Sequence, residues 1–251
     1  MKNLFGTWIT SFSLPLCDLI SSKKFNWICI DMEHSTISFE QMSIMIDVIH
    51  KNKKKCYVRV PIKNDEVTSK IALDCDVDGL IYPKIENIDD VKKCIELTFY
   101  PPKGNRGVAL YKAQRYGNRL AEYISNKSKK IELFLMIETK TGLKNLDQIL
   151  EKYNKNISGT IIGLYDLSAS FNLIGKIDNQ LIKKQLNNYI RISKKYDVPT
   201  GIHHANPYEI SLQNRIKKEV LKSKKTYKYL AFGTETLFLN YLIDDLFKKI
   251  K

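Results

Sequence analysis

No apolar run in the sequence approaches the ~20 residues that a bilayer span requires, and no stretch is rich in proline or in glycine and serine. The first absence argues against a membrane protein. The second leaves no linker at which the 251 residues would divide, so a single domain over residues 1–251 is expected. The segment Met1-Lys2-Asn3-Leu4-Phe5-Gly6 lacks the apolar stretch and small-residue cleavage site of a signal peptide. A soluble, cytoplasmic protein is expected by default. Cysteine is scarce: Cys17, Cys29, Cys56, Cys75 and Cys94 are scattered, odd in number and form no C-x-x-C pair. That argues against a disulfide framework and against a zinc–thiolate site. Cys29 and Cys56 lie inside apolar runs, where the thiol serves as a small core hydrophobe. Dense interleaving of arginine with aromatic residues is also missing, as is any nucleic-acid-binding motif. The formal net charge is nevertheless +14. The excess is lysine, in short clusters such as Lys51-Asn52-Lys53-Lys54-Lys55 and Lys217-Lys218, several at positions expected on outer helices or their ends. It reads as a solvated exterior with a weak attraction for anionic substrates, and not as a nucleic-acid surface.

What is present is a recurrence of short β-rich runs. They cover residues 4–10, 27–33, 56–60, 79–85, 132–138, 159–164, 199–204 and 229–234. Each is nearly continuous in apolarity, as strands buried on both faces should be. Amphipathic segments lie between many of them. Residues 39–51 place Phe39, Met42, Ile46 and Ile49 at helical spacing; 179–195 and 237–250 repeat the pattern. Strand alternating with helix predicts a parallel sheet, and eight such units in this length predict a closed (β/α)8 barrel. The longest spacing follows the fourth strand. It predicts a helix, the turn-rich loop Tyr100-Pro101-Pro102-Lys103-Gly104-Asn105-Arg106-Gly107, and a further helix near 119–128.

The active site of such a barrel lies at the carboxyl ends of its strands. Strand two ends in Asp31-Met32-Glu33-His34, strand three carries Arg59, and strand five ends at Glu138. Strand six runs into Asp166, strand seven ends in His203-His204, and strand eight in Thr234-Glu235. Glu138 and Asp166 suit a hard cation such as Mg2+ or Mn2+, with water and substrate completing an octahedron. They read equally as solvated carboxylates or as acids paired with Arg59. His34 suits a general base oriented by Asp31 or Glu33, or a loop histidine without a role. Arg59 suits a bidentate hold on a carboxylate, or a structural ion pair. Adjacent strand residues point to opposite faces, so His203 and His204 are expected to pack and not to share one ion. The loop from Tyr100 to Gly107 has glycines and Arg106 for a phosphate but lacks the P-loop spacing.

At these positions the sequence resembles the HpcH/HpaI aldolase family of metal-dependent pyruvate aldolases. The matching blocks run along nearly the whole chain: Phe5-Gly6-Thr7-Trp8; residues 25–34, close to F-D-W-x-x-I-D-x-E-H; Val58-Arg59-Val60-Pro61; and Ala72-Leu73-Asp74. Tyr100-Pro101-Pro102 with Gly104 and Arg106-Gly107, then Ile137-Glu138-Thr139, and Gly163 with Asp166-Leu167-Ser168-Ala169 complete them. The resemblance implies Glu138 and Asp166 as ligands of Mg2+, Mn2+ or Co2+. It implies His34 as base steered by Asp31, Asp74 in the surrounding polar network, and Arg59 against the keto acid and its enolate. Substrate-facing candidates are Arg59, Met136, Tyr165 and Ser168. It implies reversible cleavage of a 2-keto-4-hydroxy acid to pyruvate and an aldehyde. No Schiff-base lysine is required, although Lys84 ends strand four. It also implies a homo-oligomer, trimeric or hexameric, that exchanges its last helix between subunits; the apolar segment 237–247 is compatible with this.

Three departures stand out. Many members of the family carry glutamine where this chain has Met136, whose thioether cannot donate a hydrogen bond. Leu164 replaces the proline of G-P-x-D, and Asp76-Val77 replaces a frequent Gly-Ala. Two alternatives follow: a Claisen condensation of acetyl-CoA with a keto acid on the same scaffold, as in siderophore citrate synthases, and a non-catalytic barrel used for binding or assembly. Tyr165–Ser170 and Gly201-Ile202-His203 are closer to members associated with sugar or polysaccharide pathways, which hints at a polyhydroxylated aldehyde.

Overall fold

The computed structural model describes residues 3–206 and 226–250. Lys217-Lys218 and the first two residues of the amino-terminal segment lie outside the described residues. Eight parallel strands close into a barrel in chain order. They are β1 (Leu4–Ile9), β2 (Trp27–Asp31), β3 (Lys55–Arg59), β4 (Gly79–Tyr82), β5 (Glu132–Ile137), β6 (Gly159–Ile162), β7 (Thr200–His204) and β8 (Tyr229–Thr234). Every predicted run falls on one, and only β3 begins a residue early, at Lys55. Several runs overshoot at the carboxyl end, for local reasons. β4 stops before Pro83, which has no N–H for the ladder, and Lys84 turns to φ 50. β6 stops because Leu164 already begins a helix.

The helices are α1 (Leu14–Ser21), α2 (Phe39–Lys51), α3 (Glu66–Asp74), α4 (Ile88–Thr98), α5 (Lys140–Tyr153), α6 (Leu164–Ser170), α7 (Gln180–Lys195) and α8 (Glu235–Ile250). The predicted boundaries of α2 hold because Ser38 and Gln41 form a capping box at its start. Asn179, predicted as the first helical residue of α7, is its N-cap and accepts from Leu181 N. The helix expected near 119–128 is one helical turn, Leu120–Glu122, followed by a π-turn over Tyr123–Lys127. α8 forms where the pattern placed it, but its apolar side chains stay exposed: Leu242 59%, Leu246 55%, Phe247 60% and Ile250 69%.

Strand parity divides the core. Trp8, Trp27, Cys29, Tyr57, Ile81, Phe134, Met136, Ile161, Tyr229 and Ala231 form a cluster of their own inside the barrel. Their strand neighbours Ile9, Ile28, Ile30, Val58, Leu80, Leu133, Leu135, Ile162 and Leu230 face out and join the helices in the larger cluster. The interior is filled by aromatic rings: Phe134 stands edge-on to Tyr229 at 4.8 Å. Gly6 is required here, because a Cβ would come within 2.1 Å of the Trp27 ring.

The amino-terminal ends of the strands form a closed base. Glu132 pairs with Lys55 and accepts from Tyr57 Oη at 2.7 Å and from Tyr229 Oη at 3.3 Å. Asp78 is held by His50 and by the Cys56 N–H, each at 2.8 Å. The Tyr100–Gly107 segment also lies at this end, between α4 and β5. Arg106 is buried there, bonded to Asp74 at 2.9 Å and to Tyr123 Oη at 3.0 Å, with the Tyr100 ring 4.6 Å away. The loop is therefore a structural corner rather than a phosphate cradle.

Candidate active site

The interior columns of the strands end in polar groups at the opposite, carboxyl face. The parity that buries Trp27 and Cys29 brings Asp31 to the mouth; Tyr57 is followed by Arg59, and Phe134 and Met136 by Glu138. Asp31 and Arg59 are register partners across β2 and β3. Arg59 donates from Nε to Asp31 Oδ1 at 2.9 Å and from Nη2 to Oδ2 at 2.6 Å. Glu33 Oε2 stands 2.9 Å from Nη1 of the same guanidinium, and the Trp8 ring lies beneath it at 4.5 Å. The planar fork is thus fixed on three sides and its charge is kept by its two carboxylate neighbours.

Glu138 is fully buried. Its Oε1 accepts the N–H of Lys84 at 2.8 Å, which explains the left-handed backbone at Lys84: that turn aims the amide at the carboxylate. Its Oε2 has no hydrogen-bond partner. Burial pushes the carboxyl up to about 7; the charges of Asp166 and Glu33 add to the rise, while the Lys84 N–H and Arg59 oppose it. Gly163 makes room for Oε2, since a Cβ there would come within 2.5 Å of it. Asp166 is exposed, in the first turn of α6. No cluster of three or more metal-ligating side chains occurs among the described residues. Two carboxylates, one of them buried with an open oxygen, nevertheless fit a hard cation that takes its remaining oxygens from water and substrate.

The other predicted residues divide. The Met136 thioether is 3.9 Å from Arg59 Nη1 and lines the interior below Glu138. Tyr165 is 37% exposed beside Asp166. Three other predicted residues have partners that their spacing did not indicate. The Asp31 carboxylate does not meet the His34 ring; it accepts the backbone N–H of His34 at 3.3 Å, and the imidazole stands 3.8 Å from Glu33 instead. Asp74 ends α3, which runs back from the mouth, so it lies at the base with Arg106. Ser168 is fully buried; its hydroxyl donates to Tyr165 O at 2.7 Å and accepts from Gly175 N at 3.1 Å, which occupies it structurally.

His203 and His204 face apart, as their adjacency on a strand requires. His203 stacks on Trp8 at 4.9 Å and His204 on Phe232 at 6.0 Å. Glu235 is buried and accepts the Thr10 N–H at 2.8 Å, tying β8 to β1. Sequence reasoning gave no separate role to Trp8, to the Lys84 amide or to Gly163. The signals for the last two were the turn after Pro83 and the glycine at the end of β6.

The chain as a whole resembles proteins of known activity and fold. The family model described as HpcH/HpaI aldolase/citrate lyase matches residues 4–199. A 4-hydroxy-2-oxo-heptane-1,7-dioate aldolase of Shigella flexneri is 30% identical over 203 residues, covering 80% of this chain and 74% of that protein. A 2-dehydro-3,6-dideoxy-6-sulfogluconate aldolase of Pseudomonas putida is 30% identical over 203 residues, covering 80% and 78%. Among solved structures, an HpcH/HpaI aldolase/citrate lyase family protein of Burkholderia cenocepacia J2315 superposes with a TM-score of 0.88 at 22% identity, over 99% of this chain and 95% of that one. That last likeness establishes the fold.

Proposed function

This chain belongs to the HpcH/HpaI aldolase/citrate lyase family, and from that membership we propose that it reversibly cleaves a 2-keto-4-hydroxy acid to pyruvate and an aldehyde, using a divalent cation held by Glu138 and Asp166. The observation that carries this reading is the buried Glu138, whose Oε2 has no protein partner. A buried acceptor left open in this way calls for a ligand. Bound between these carboxylates, Mg2+, Mn2+ or Co2+ would supply Lewis acidity to the oxygens of the keto acid.

The chain's own residues account for the remaining demands. Cleavage moves the C4 hydroxyl proton to a base, breaks C3–C4, and leaves the electron pair on the pyruvate half, which later takes a proton at C3. His34, 61% exposed at the mouth, is the base in this reading. Arg59 holds positive charge where negative charge develops, and its clasp by Asp31 means no reorganisation is needed at that moment. Met136 offers a soft wall without a donor, so keto-acid orientation falls to Arg59 and the cation site.

The test is a screen of aldehydes with pyruvate and Mn2+, reading product mass. A product heavier than the aldehyde by one pyruvate is expected. No such product with Mg2+, Mn2+ or Co2+, together with thiol release from acetyl-CoA and a keto acid, would move the assignment to the condensing reading.

The protein is also proposed to be a homo-oligomer. The row Leu239, Leu242, Ile243, Leu246, Phe247 and Ile250 on α8 is 45–69% exposed, a contiguous apolar surface of the kind that marks an interface. Light scattering is expected to give a multiple of the chain mass; a monomer would refute it. No helix among the described residues is long and apolar enough to cross a membrane.

A further inference from the structure

Two carboxylates stand against the Arg59 guanidinium, and they are not equivalent. Asp31 is occupied. It takes two guanidinium hydrogens, and its Oδ1 also accepts the N–H groups of Glu33 at 3.1 Å and His34 at 3.3 Å. Glu33 is not. Its side chain is only 8% exposed, and its Oε2 is 2.9 Å from Arg59 Nη1. That contact is an ion pair without an aligned hydrogen bond; one of the two Nη1 hydrogens faces the Met136 sulfur at 3.9 Å. On its other side the same oxygen is 3.8 Å from Nε2 of His34.

We propose that Glu33 is the positioning residue for His34, holding the imidazole over the mouth and linking it electrostatically to Arg59. The inference rests on the aldolase reading, in which His34 takes the C4 hydroxyl proton. A small turn of the exposed ring closes 3.8 Å to a hydrogen bond and satisfies the one acceptor at the mouth that already has a ring nitrogen facing it. Asp31 cannot serve in this way, because its oxygens are committed and only the His34 backbone reaches them. No proton passes to Glu33. The proton moves from the C4 hydroxyl to His34, and the C3–C4 electron pair stays on the pyruvate half. Glu33 then lies between two cations, the new imidazolium and Arg59, in a poorly solvated position where such coupling is strong.

The surroundings support the assignment. Burial raises the Glu33 carboxyl above its ordinary range, while Arg59, His34 and Lys84 draw it back and Asp31 adds to the rise. Glu138, on the loop after β5, also feels its charge. Three carboxylates, Glu33 included, thus share two cations, Arg59 and Lys84, and a protonated His34 relieves them.

The experiment is a proton-NMR titration of the His34 ring in the whole, metal-free protein, with His34→Gln identifying the resonance. In Glu33→Gln the midpoint is expected to fall by at least about half a pH unit, roughly a threefold loss of proton affinity. Glu33→Asp should recover part of that shift, and Asp31→Asn should move the midpoint less than Glu33→Gln. In the cleavage assay, Glu33→Gln should shift the kcat–pH profile in step with the resonance and change kcat more than KM. An unmoved resonance in Glu33→Gln, or a larger shift in Asp31→Asn, overturns the proposal. The resonance is read without substrate or metal. A protein that lacks aldolase activity but shows the Glu33 shift would therefore refute the reaction and leave the His34–Glu33 pairing standing.

Discussion

The two ends of the barrel treat carboxylates in opposite ways. At the base, four acids meet four bases: Asp74 with Arg106, Asp76 with Lys127, Asp78 with His50 and Glu132 with Lys55. At the mouth, Asp31, Glu33, Glu138 and Asp166 face one buried guanidinium, Arg59, with the exposed Lys84 ammonium felt at Glu33. With all four acids ionised the mouth is two positive charges short, which is the charge of one divalent cation. A fold stabilised evenly throughout would not leave a buried acid such as Glu138 uncompensated. The base is built for stability, and under the proposed function the mouth is the end that a ligand would complete.

Exchanging one acid at each end should break this comparison if it is wrong. Glu138→Gln is expected to abolish Mn2+ binding by calorimetry and to lower kcat/KM more than 100-fold, about 3 kcal/mol of barrier. In the metal-free state at pH 8 the same variant should be more stable to urea, on the order of 2 kcal/mol, because a neutral amide replaces a buried charge. Glu132→Ala should do the reverse. It strands the Tyr57 and Tyr229 hydroxyls and should cost about 2 kcal/mol of stability while leaving kcat/KM within about twofold. Equal activity losses in the two variants would mean that the ends are not specialised.

Much of this division was legible in the residues. Near-continuous apolar runs located all eight strands, and strand parity carried Asp31, Arg59 and Glu138 to one face. The place of Asp74 was legible too, since a helix that starts at the mouth must end at the base, where Arg106 meets it. The Ser168 bonds were not legible, because its hydroxyl turns to Tyr165 O and Gly175 N within one local stretch, which no spacing reveals. The His34 partner was equally hidden. Asp31 and Glu33 both flank it in sequence, and only the prior claim of Arg59 and two backbone amides on Asp31 separates them. The exposed face of α8 followed from a pattern that marks an apolar stripe without saying which molecule covers it.

The finest test of the comparison is the response of the metal-free mouth to acid, where two groups oppose each other. Burial holds the His203 imidazole down at about 3, with Arg59 and His204 adding to the fall and the Gly233 carbonyl resisting it. The unfolded chain binds that proton near pH 6.5. His203 therefore contributes stability above pH 6.5 that is lost progressively as the pH falls toward 3. Glu138 has the opposite sign. Its folded value of about 7 exceeds its unfolded one, so stability is gained as the pH falls from 7 toward 4.5. Each contributes a slope of about 1.4 kcal/mol per pH unit where both operate. Asp78 is held low by His50 and the Cys56 N–H against the pull of burial, so its loss comes at more acid pH. Between pH 6.5 and 5 the parent protein should then show a shallow dependence in urea melts. His203→Gln should gain stability on acidification, and Glu138→Gln should lose it, each by about 1 kcal/mol per unit. A parent-like slope in both variants would show that neither group is held off its ordinary protonation, and the mouth would then be no more strained than the base.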